Sequence, residues 1–169
     1  MKYPLLIIVV FISIVTFLSC KKSNTSLPSN TIQATINGKI STFNFGVSAL
    51  RTGTPGTPHY VIALTGLTDG TTLAGSISFS VQGVDNITTA TYNENSIINN
   101  ASITYIDNID LFGNIFSNGH PTSNPFIIVV TSLNSTSIQG TFYGDIFHNG
   151  DSTQTLETVT NGKFNVNFN

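Results

Sequence analysis

The chain has 169 residues, a formal net charge of −2 and only 8% charged residues, against about 25% in an average globular protein. This weak, slightly acidic charge excludes the basic surface with which proteins hold nucleic acid, so we expect no nucleic-acid partner. Apolar residues make up 40% of the chain, which is enough for a hydrophobic core beneath a surface wetted by Thr, Ser and Asn.

The first 19 residues have the parts of a bacterial signal peptide. A lysine gives the positive start, residues 4–18 form an apolar run too short to span a bilayer comfortably, and Ser19 is a small residue before Cys20. Residues 17–20 resemble the lipobox, at which the peptide is removed and the cysteine is acylated, although a lipobox usually has Leu where this chain has Phe17. Cys20 is the only cysteine, so acylation also explains an exported thiol without a disulfide partner. We predict a signal peptide over residues 1–19 and lipidation of Cys20; the alternative is an ordinary cleaved signal peptide with an incidental cysteine.

Residues 20–30 are predicted to be a flexible polar tether between the lipid and the folded domain. An anchor of two or more acyl chains attaches a protein stably, at about 0.8 kcal/mol per buried methylene. In the lipoproteins that this region resembles, Asp after the cysteine favours the inner membrane and an acidic cluster favours surface display. This chain has Lys21, Lys22 and Ser23 there instead. We therefore expect the outer membrane, with the domain facing the periplasm.

After the tether, apolar and polar residues alternate with period two, which is typical of half-buried strands. The clearest alternation starts at Ile32, Ile77 and Ile138. An apolar run at residues 59–67 predicts a central strand, and a run at residues 126–130 predicts a strand buried on both faces. No helix of normal length is predicted.

Turn signals separate the predicted strands. Asn37-Gly38 predicts a tight hairpin turn, and residues 149–151 predict a second one. The closing strand, with Phe164, Val166 and Phe168, is predicted to follow Asn161-Gly162. Stretches rich in Gly, Pro or Asn predict surface loops at residues 53–58, 93–100 and 117–125.

Nine or ten strands at such intervals indicate one all-β domain over residues 31–169. We favour an antiparallel β-sandwich, and the alternative is an antiparallel, lipocalin-like β-barrel. Both produce the same alternation along the strands, so strand order stays open.

Two motifs resemble those of uncharacterised Bacteroidetes-type lipoproteins. Residues 34–39, Ala-Thr-Ile-Asn-Gly-Lys, are similar to the opening of the family's β-domain. Residues 140–144 and 159–166 are similar to its last hairpin, in which a Gly-Thr-Phe strand pairs with a Thr-Asn-Gly-Lys-Phe strand. The resemblance covers most of residues 31–169 and implies the fold and the location, but no activity.

Candidate metal ligands are few and dispersed. His59, His120 and His148 lie far apart, and the first two adjoin prolines. Asp145 and His148 are three residues apart, so on a strand they would point to opposite faces. A metal site needs several ligands to converge, so we predict no metal site and no cofactor.

An oxygen-rich stretch at residues 107–110, with Asn100 and Asn114 nearby, offers ligands that calcium accepts. It lacks the glycine-spaced loop of an EF-hand. A polar turn between two strands is the preferred interpretation.

The sequence also lacks a nucleophile elbow, and its one cysteine is assigned to lipid, so we predict that the protein is not an enzyme. Paired carboxylates of a glycan-directed hydrolase, in the loops at residues 93–100 or 117–125, remain the alternative. Glu94 and Glu157 lie in polar stretches, in which solvated carboxylates are expected.

Glycan binding and glycosylation leave weaker signals. Sugars stack on exposed Trp or Tyr, but the chain has no Trp, and its tyrosines after the signal peptide are scattered through predicted strands: Tyr60, Tyr92, Tyr105 and Tyr143. Residues 151–153, Asp-Ser-Thr, resemble the O-glycosylation sequon of exported Bacteroidetes proteins, with Ser152 as the candidate acceptor.

Together these features predict a non-catalytic binding or scaffolding domain in the cell envelope, with a protein, glycan or lipid partner. A barrel that carries a small apolar ligand is the first alternative, and the hydrolase is the second. A carrier would leave a cavity of roughly a few hundred Å³, whereas a hydrolase would bring two acids together in a cleft.

Overall fold

The computed structural model describes residues 26–57, 60–71, 74–107, 114–119, 123–151, 153–154 and 156–169. This part of the chain contains strands and no helix, so it holds no helix that could cross a membrane. The strands in chain order are β1 (Thr31–Ile36), β2 (Lys39–Phe43), β3 (Phe45–Thr52), β4 (Tyr60–Leu67), β5 (Ser76–Gly83), β6 (Thr91–Asn93), β7 (Asn99–Ile106), β8 (Ile115–Ser117), β9 (Ile127–Leu133), β10 (Ser137–His148) and β11 (Leu156–Asn167).

The eleven strands form one antiparallel sheet in the order β2-β1-β11-β10-β8-β7-β5-β4-β3, and β9 pairs with β10 and with β6. An isolated parallel bridge joins Ala49 on β3 to Phe168, just after β11, and the Asn169 N–H donates to the Ala49 carbonyl at 3.3 Å. Arg51 supports the same contact, because its guanidinium lies 3.7 Å from the centre of the Phe168 ring. The sheet thus curls into a nearly closed, barrel-like shape. The prediction of an all-β antiparallel fold is confirmed.

The core follows directly from the alternation in the strands. On β5, Ile77, Phe79 and Val81 are buried, whereas Ser78 between them is exposed. The ring of Phe79 lies 4.9 Å from that of Phe142 on β10, centre to centre, and 5.2 Å from that of Phe164 on β11. Aromatic side chains from distant parts of the sheet therefore meet and fill the middle of the fold.

The closing strands pair as the sequence motifs predict, but the last strand begins at Leu156, before Asn161-Gly162 and not after it. Residues 140–142 pair with residues 162–164, and β11 continues through Asn161 without reversing. Two residues of β11 lie between the pairs Phe142–Gly162 and Gly144–Val159, against one residue of β10. The extra residue forms a β-bulge, and Asn161 takes a φ of 52° there, which asparagine adopts more readily than most residues.

The residues just before β1 are fixed to β11. The Asn165 side-chain amide donates to the Leu27 carbonyl at 2.8 Å, and the Asn167 N–H donates to the Asn30 side-chain oxygen at 2.9 Å. The chain therefore enters β1 beside the end of its own last strand.

Candidate functional site

β2 is the edge strand of the sheet and has a single neighbour, β1. Asn37 and Gly38 join the two strands with φ angles of 48° and 79°, and two successive positive values define a type I′ turn. The predicted turn is confirmed. Such a two-residue loop makes the flanking residues, Ile36 and Lys39, a hydrogen-bonded pair.

That pair fixes which backbone groups of β2 are free. Along an antiparallel strand, alternate residues direct their N–H and C=O groups towards the neighbouring strand. Lys39, Ser41 and Phe43 direct theirs towards β1, so Ile40 and Thr42 direct theirs away from it. Within the described residues, these outward groups have no backbone partner, because β2 pairs with β1 alone.

A groove of about 460 Å³ lies along this free edge. Residues 39–42 of β2 form one wall, and Thr68, Gly75, Tyr105 and Asp107 at the ends of β4, β5 and β7 form the other. A smaller recess of about 160 Å³ continues from it beneath Lys39, and Glu157 lines this recess together with Tyr105 and Asp107. The groove thus lies between the free edge of β2 and the ends of three other strands of the same sheet.

Tyr105 positions the carboxylate of Asp107 at the inner end of the groove. Its ring is buried against Phe43 and Phe116, and its hydroxyl donates to the Asp107 carboxylate at 2.7 Å. Burial, the Asp107 hydrogen bond and the charges of Asp107 and Glu157 raise the pKa of Tyr105 well above its usual range. The tyrosine therefore remains a hydrogen-bond donor at any physiological pH.

Glu157 adds a second acid to the same recess. It is half-buried, and burial followed by the negative charge of Asp107 raises its pKa. Among the residues that the structure describes, Lys39 is the one cation lining the two cavities, and it forms no ion pair with either acid. The inner end of the groove therefore combines two carboxylates with one unpaired lysine, which favours a cationic ligand group.

The chain matches no family model, no curated protein and no solved structure.

A second depression, of about 400 Å³, lies beside the predicted loop at residues 93–100. The loop is ordered by its own polar side chains: Asn93 accepts from the Asn95 N–H, and Ser96 accepts from the N–H groups of Ile98 and Asn99. Ile97 projects from this loop and is 94% exposed. Nothing in this depression selects a particular ligand.

Glu94, in the same loop, is half-buried, and its carboxylate is shielded from solvent, whereas the sequence predicts a solvated carboxylate. Both carboxylate oxygens are shielded from solvent, and neither has a hydrogen-bond partner of normal geometry among the described residues. Burial raises the pKa of Glu94 first, and the charge of Asp145 adds to the shift, while the nearby Phe126 amide and Asn118 side chain oppose it. The structure thus brings together the two loops at which a hydrolase would hold its acids, but the Glu94 carboxylate does not reach a solvent-filled cleft.

We expect Glu94→Gln to stabilise the protein at neutral pH. The folded state holds the proton of the Glu94 carboxyl more tightly than the unfolded state does. The free energy of unfolding therefore falls as pH rises from the ordinary glutamate pKa through the raised pKa of Glu94. The amide removes that penalty, so the free energy of unfolding at pH 7 should rise by about 0.5–1 kcal/mol, after allowance for partial solvent screening. Urea titrations at neutral pH and near pH 4 measure the difference, which should vanish at the acidic pH. Asp85→Asn, at an exposed acid, makes the same charge change and should have little effect; an equal gain from both variants would contradict the explanation.

The proposed metal ligands do not converge in the part of the chain that the structure describes. It contains no group of three or more His, Cys, Asp or Glu side chains close enough to share a metal ion. His148 packs edge-on against Phe116, and Asp145 accepts from Asn124 and Thr158. His59 and His120 lie outside the described residues.

The suggested calcium ligands are only partly brought together: the Asp107 N–H donates to the Asn114 carbonyl at 3.4 Å, but Asn100 is remote from both. Asn100 and Asp107 lie at opposite ends of β7, and the Asn100 amide is used within its own loop, where it donates to the Glu94 and Ser96 carbonyls. Asp107 instead belongs to the groove. Residues 108–113, which include the rest of the oxygen-rich stretch, lie outside the described residues.

The two predicted modification sites, Cys20 and Ser152, also lie outside the described residues. Around Ser152, Asp151 and Thr153 are exposed, and the Asp151 carboxylate accepts from the N–H and the hydroxyl of Thr153. These two described neighbours lie after the turn at Asn149-Gly150, where the predicted hairpin turn is confirmed.

Sequence reasoning named three groove residues without placing them together. From the sequence, Asp107 is a candidate calcium ligand, Tyr105 is one of several scattered tyrosines, and Glu157 is expected to be a solvated carboxylate. Lys39 and the free edge of β2 were missed. The usable signal was the two-residue turn at Asn37-Gly38, which fixes the direction of the β2 backbone groups but not the identity of the edge strand.

Proposed function

We propose that the protein is a non-catalytic binding domain of the bacterial cell envelope, and that it binds its partner in the groove along β2. The anchor proposed for it is a lipid on Cys20 in the outer membrane, from which the tether presents the domain to the periplasm. Of the predicted tether at residues 20–30, the end from Leu27 to Asn30 is attached to β11, so the part before Leu27 gives the domain its reach. The observation that carries the proposal is an unpaired strand edge that faces a groove with an acidic inner end.

The filled interior supports this function over the carriage of a small apolar ligand. A carrier needs internal space, whereas here Phe79, Phe142 and Phe164 occupy the middle of the fold with ring centres 4.9–6.4 Å apart. Both grooves described above are open to the surface, and the one along β2 is lined largely by polar residues. A partner is therefore expected to bind the outside of the curled sheet.

Site-directed photo-cross-linking in the intact envelope tests the proposed function. We expect a photoreactive residue at Thr68, in the groove wall, to capture a discrete protein partner from living cells. The same residue at Thr141, which is exposed on β10 outside the groove, is the matched control and should capture none. Equal capture from both positions, or none from Thr68, would overturn the proposal.

The lipid anchor has its own test. Cys20→Ala should remain unacylated and lose its stable attachment to membranes, because the acyl chains supply the attachment energy. Membrane fractionation with carbonate washing, together with the intact mass, measures the change; Ser19→Ala, which keeps a small residue before the cysteine, is the control. Retention of the Cys20→Ala protein as an integral membrane protein would show that the lipobox interpretation is wrong.

The acid pair favours a second candidate, a glycan-directed hydrolase. Asp107 and Glu157 line one recess, and the raised pKa of Glu157 is what a general acid requires. Incubation with envelope polysaccharides should then release reducing sugars, and Asp107→Asn and Glu157→Gln should each abolish the release. The binding-domain proposal expects no release by the wild-type protein.

A further inference from the structure

We infer that the occupant of the groove is an extended protein segment that adds as a strand to β2 and places a lysine or arginine side chain beside Asp107 and Glu157. This inference rests on the proposed function and names the class of partner. It combines three observations on the same groove: the free backbone of β2, the exposed side chain of Ile40 and the acids at the inner end.

The backbone of β2 gives the mode of binding. Ile40 and Thr42 offer two N–H donors and two C=O acceptors to the groove, in the spacing that an added strand requires. A glycan or a lipid head group has no repeating pair of donor and acceptor at that spacing. An extended peptide has this pair at every second residue, so the edge favours a polypeptide.

The side chain of Ile40 indicates that this edge is used. Native proteins protect free strand edges with charge, bulges or covering loops, because an apolar edge is a template for unwanted pairing. Lys39 puts one charge on this short strand, but Ile40 next to it is 70% exposed on the free edge and lines the groove. A strand laid along β2 would bury it.

The acids select the side chain at the inner end. Asp107, oriented by the Tyr105 hydroxyl, and Glu157 share the recess with one unpaired cation, Lys39. Their mutual repulsion is relieved when a cationic group enters between them. A guanidinium or an ammonium on the added strand supplies that group.

The test titrates ¹⁵N-labelled protein, residues 21–169, with synthetic peptides; this segment contains all eleven strands of the fold. The probes are the capped peptides TVTKTVT, TVTQTVT and TVTETVT. We expect the amide signals of Ile40 and Thr42 to shift and to gain protection from exchange, and the lysine peptide to bind about fivefold more tightly than the glutamine peptide. Glu157→Gln should reduce that preference to about twofold, and the glutamate peptide should bind weakest.

Ile40→Pro tests the strand addition directly. The Ile40 N–H faces the groove, so proline removes an outward donor without breaking a bond to β1, and edge strands tolerate this. Affinity for the lysine and glutamine peptides should fall about tenfold, whereas Ile40→Ala, which keeps the N–H, should lose less. If the proline variant does not fold, two TVTKTVT peptides that are N-methylated at alternate amides replace it. The peptide methylated at the amides that face β2 should not bind, and the peptide methylated at the intervening amides should bind.

Three outcomes would overturn the inference. If a photoreactive residue at Thr68 captures a protein but none of the peptides binds, the proposed function stands and strand addition is excluded. Equal binding of the two N-methylated peptides also excludes strand addition. If the chain forms a dimer that Ile40→Pro converts to a monomer, the occupant of the groove is a second copy of this chain.

Discussion

Phe142→Ala is expected to lower the free energy of unfolding by about 4 kcal/mol, because the substitution removes the ring that the core is built around. Phe142 is 1% exposed, and its ring lies 4.9 Å from Phe79, 6.2 Å from Phe126 and 6.4 Å from Phe164, centre to centre. These neighbours come from three other strands or their ends, and each is held by its own backbone pairing. The cavity left by the ring therefore collapses little, and both the lost burial and the empty space cost stability.

Urea denaturation measures this effect, with the slope of the transition as the check that unfolding remains two-state. Tyr143→Ala is the matched control, because it removes an aromatic ring from the next residue of the same strand, where 43% of the side chain is exposed. That variant should lose about 1 kcal/mol or less. Similar losses at both positions would mean that the interior is not packed around Phe142.

Gly144→Ala should destabilise the fold by a comparable amount, about 4 kcal/mol, for a different reason. Gly144 has a φ of 137°, which residues with a Cβ adopt only under strain. A Cβ added there would lie 2.5 Å from the Phe126 Cα and 2.5 Å from the Pro125 carbonyl oxygen. Both contacts are with backbone, so no side-chain rotation relieves them, and the segment before β9 would have to move away from β10.

Gly38→Ala separates the conformational cost of a positive φ from the cost of the steric clash with the backbone. Gly38 also has a positive φ, 79°, but a Cβ there meets nothing within 4 Å, so only the conformational cost of about 1 kcal/mol is expected. Thermal or urea unfolding of both variants gives the comparison. If Gly144→Ala costs no more than Gly38→Ala, then the approach of Phe126 to β10 is not tight.

The alternation of apolar residues was sufficient to predict the strands, because burial of one face is a local pattern. Ile77, Phe79 and Val81 illustrate this, since each is buried as the pattern predicts. Strand burial was harder to predict at residues 126–130. Ile128 and Val130 are buried, but Ile127 and Val129 are only half-buried, because an apolar residue also tolerates the partly covered outer face of a sheet.

Asn-Gly at two places shows where local signals stop. Asn37-Gly38 reverses the chain, whereas Asn161-Gly162 lies within β11, and both asparagines have a φ near 50°. The dipeptide specifies a backbone conformation, but the strands on either side determine whether that conformation becomes a turn or a bulge. At Asn161 the long partner strand β10 continues past the irregularity and holds both halves of β11 in one ladder.

The groove lay beyond sequence reasoning because its residues come from distant positions. Lys39, Asp107 and Glu157 meet only because β2, β7 and β11 end near one another in the curled sheet. The half-burial of Glu157 depends on the same arrangement. Residue types alone predicted solvated acids, and strand order was needed to bring them together.

The attachment of the chain before β1 to the last strand has a mechanical consequence. Thr31 enters β1 beside Asn165, and β1 ends at the turn that starts β2, at the opposite end of the hairpin. A pull on the residues before Thr31, resisted by a ligand at the turn end of β2, acts along the length of β1 and is carried by the covalent backbone of that strand. The hydrogen bonds between β1 and β11 lie beside this path and not on it, so the pull does not separate the first strand from the last.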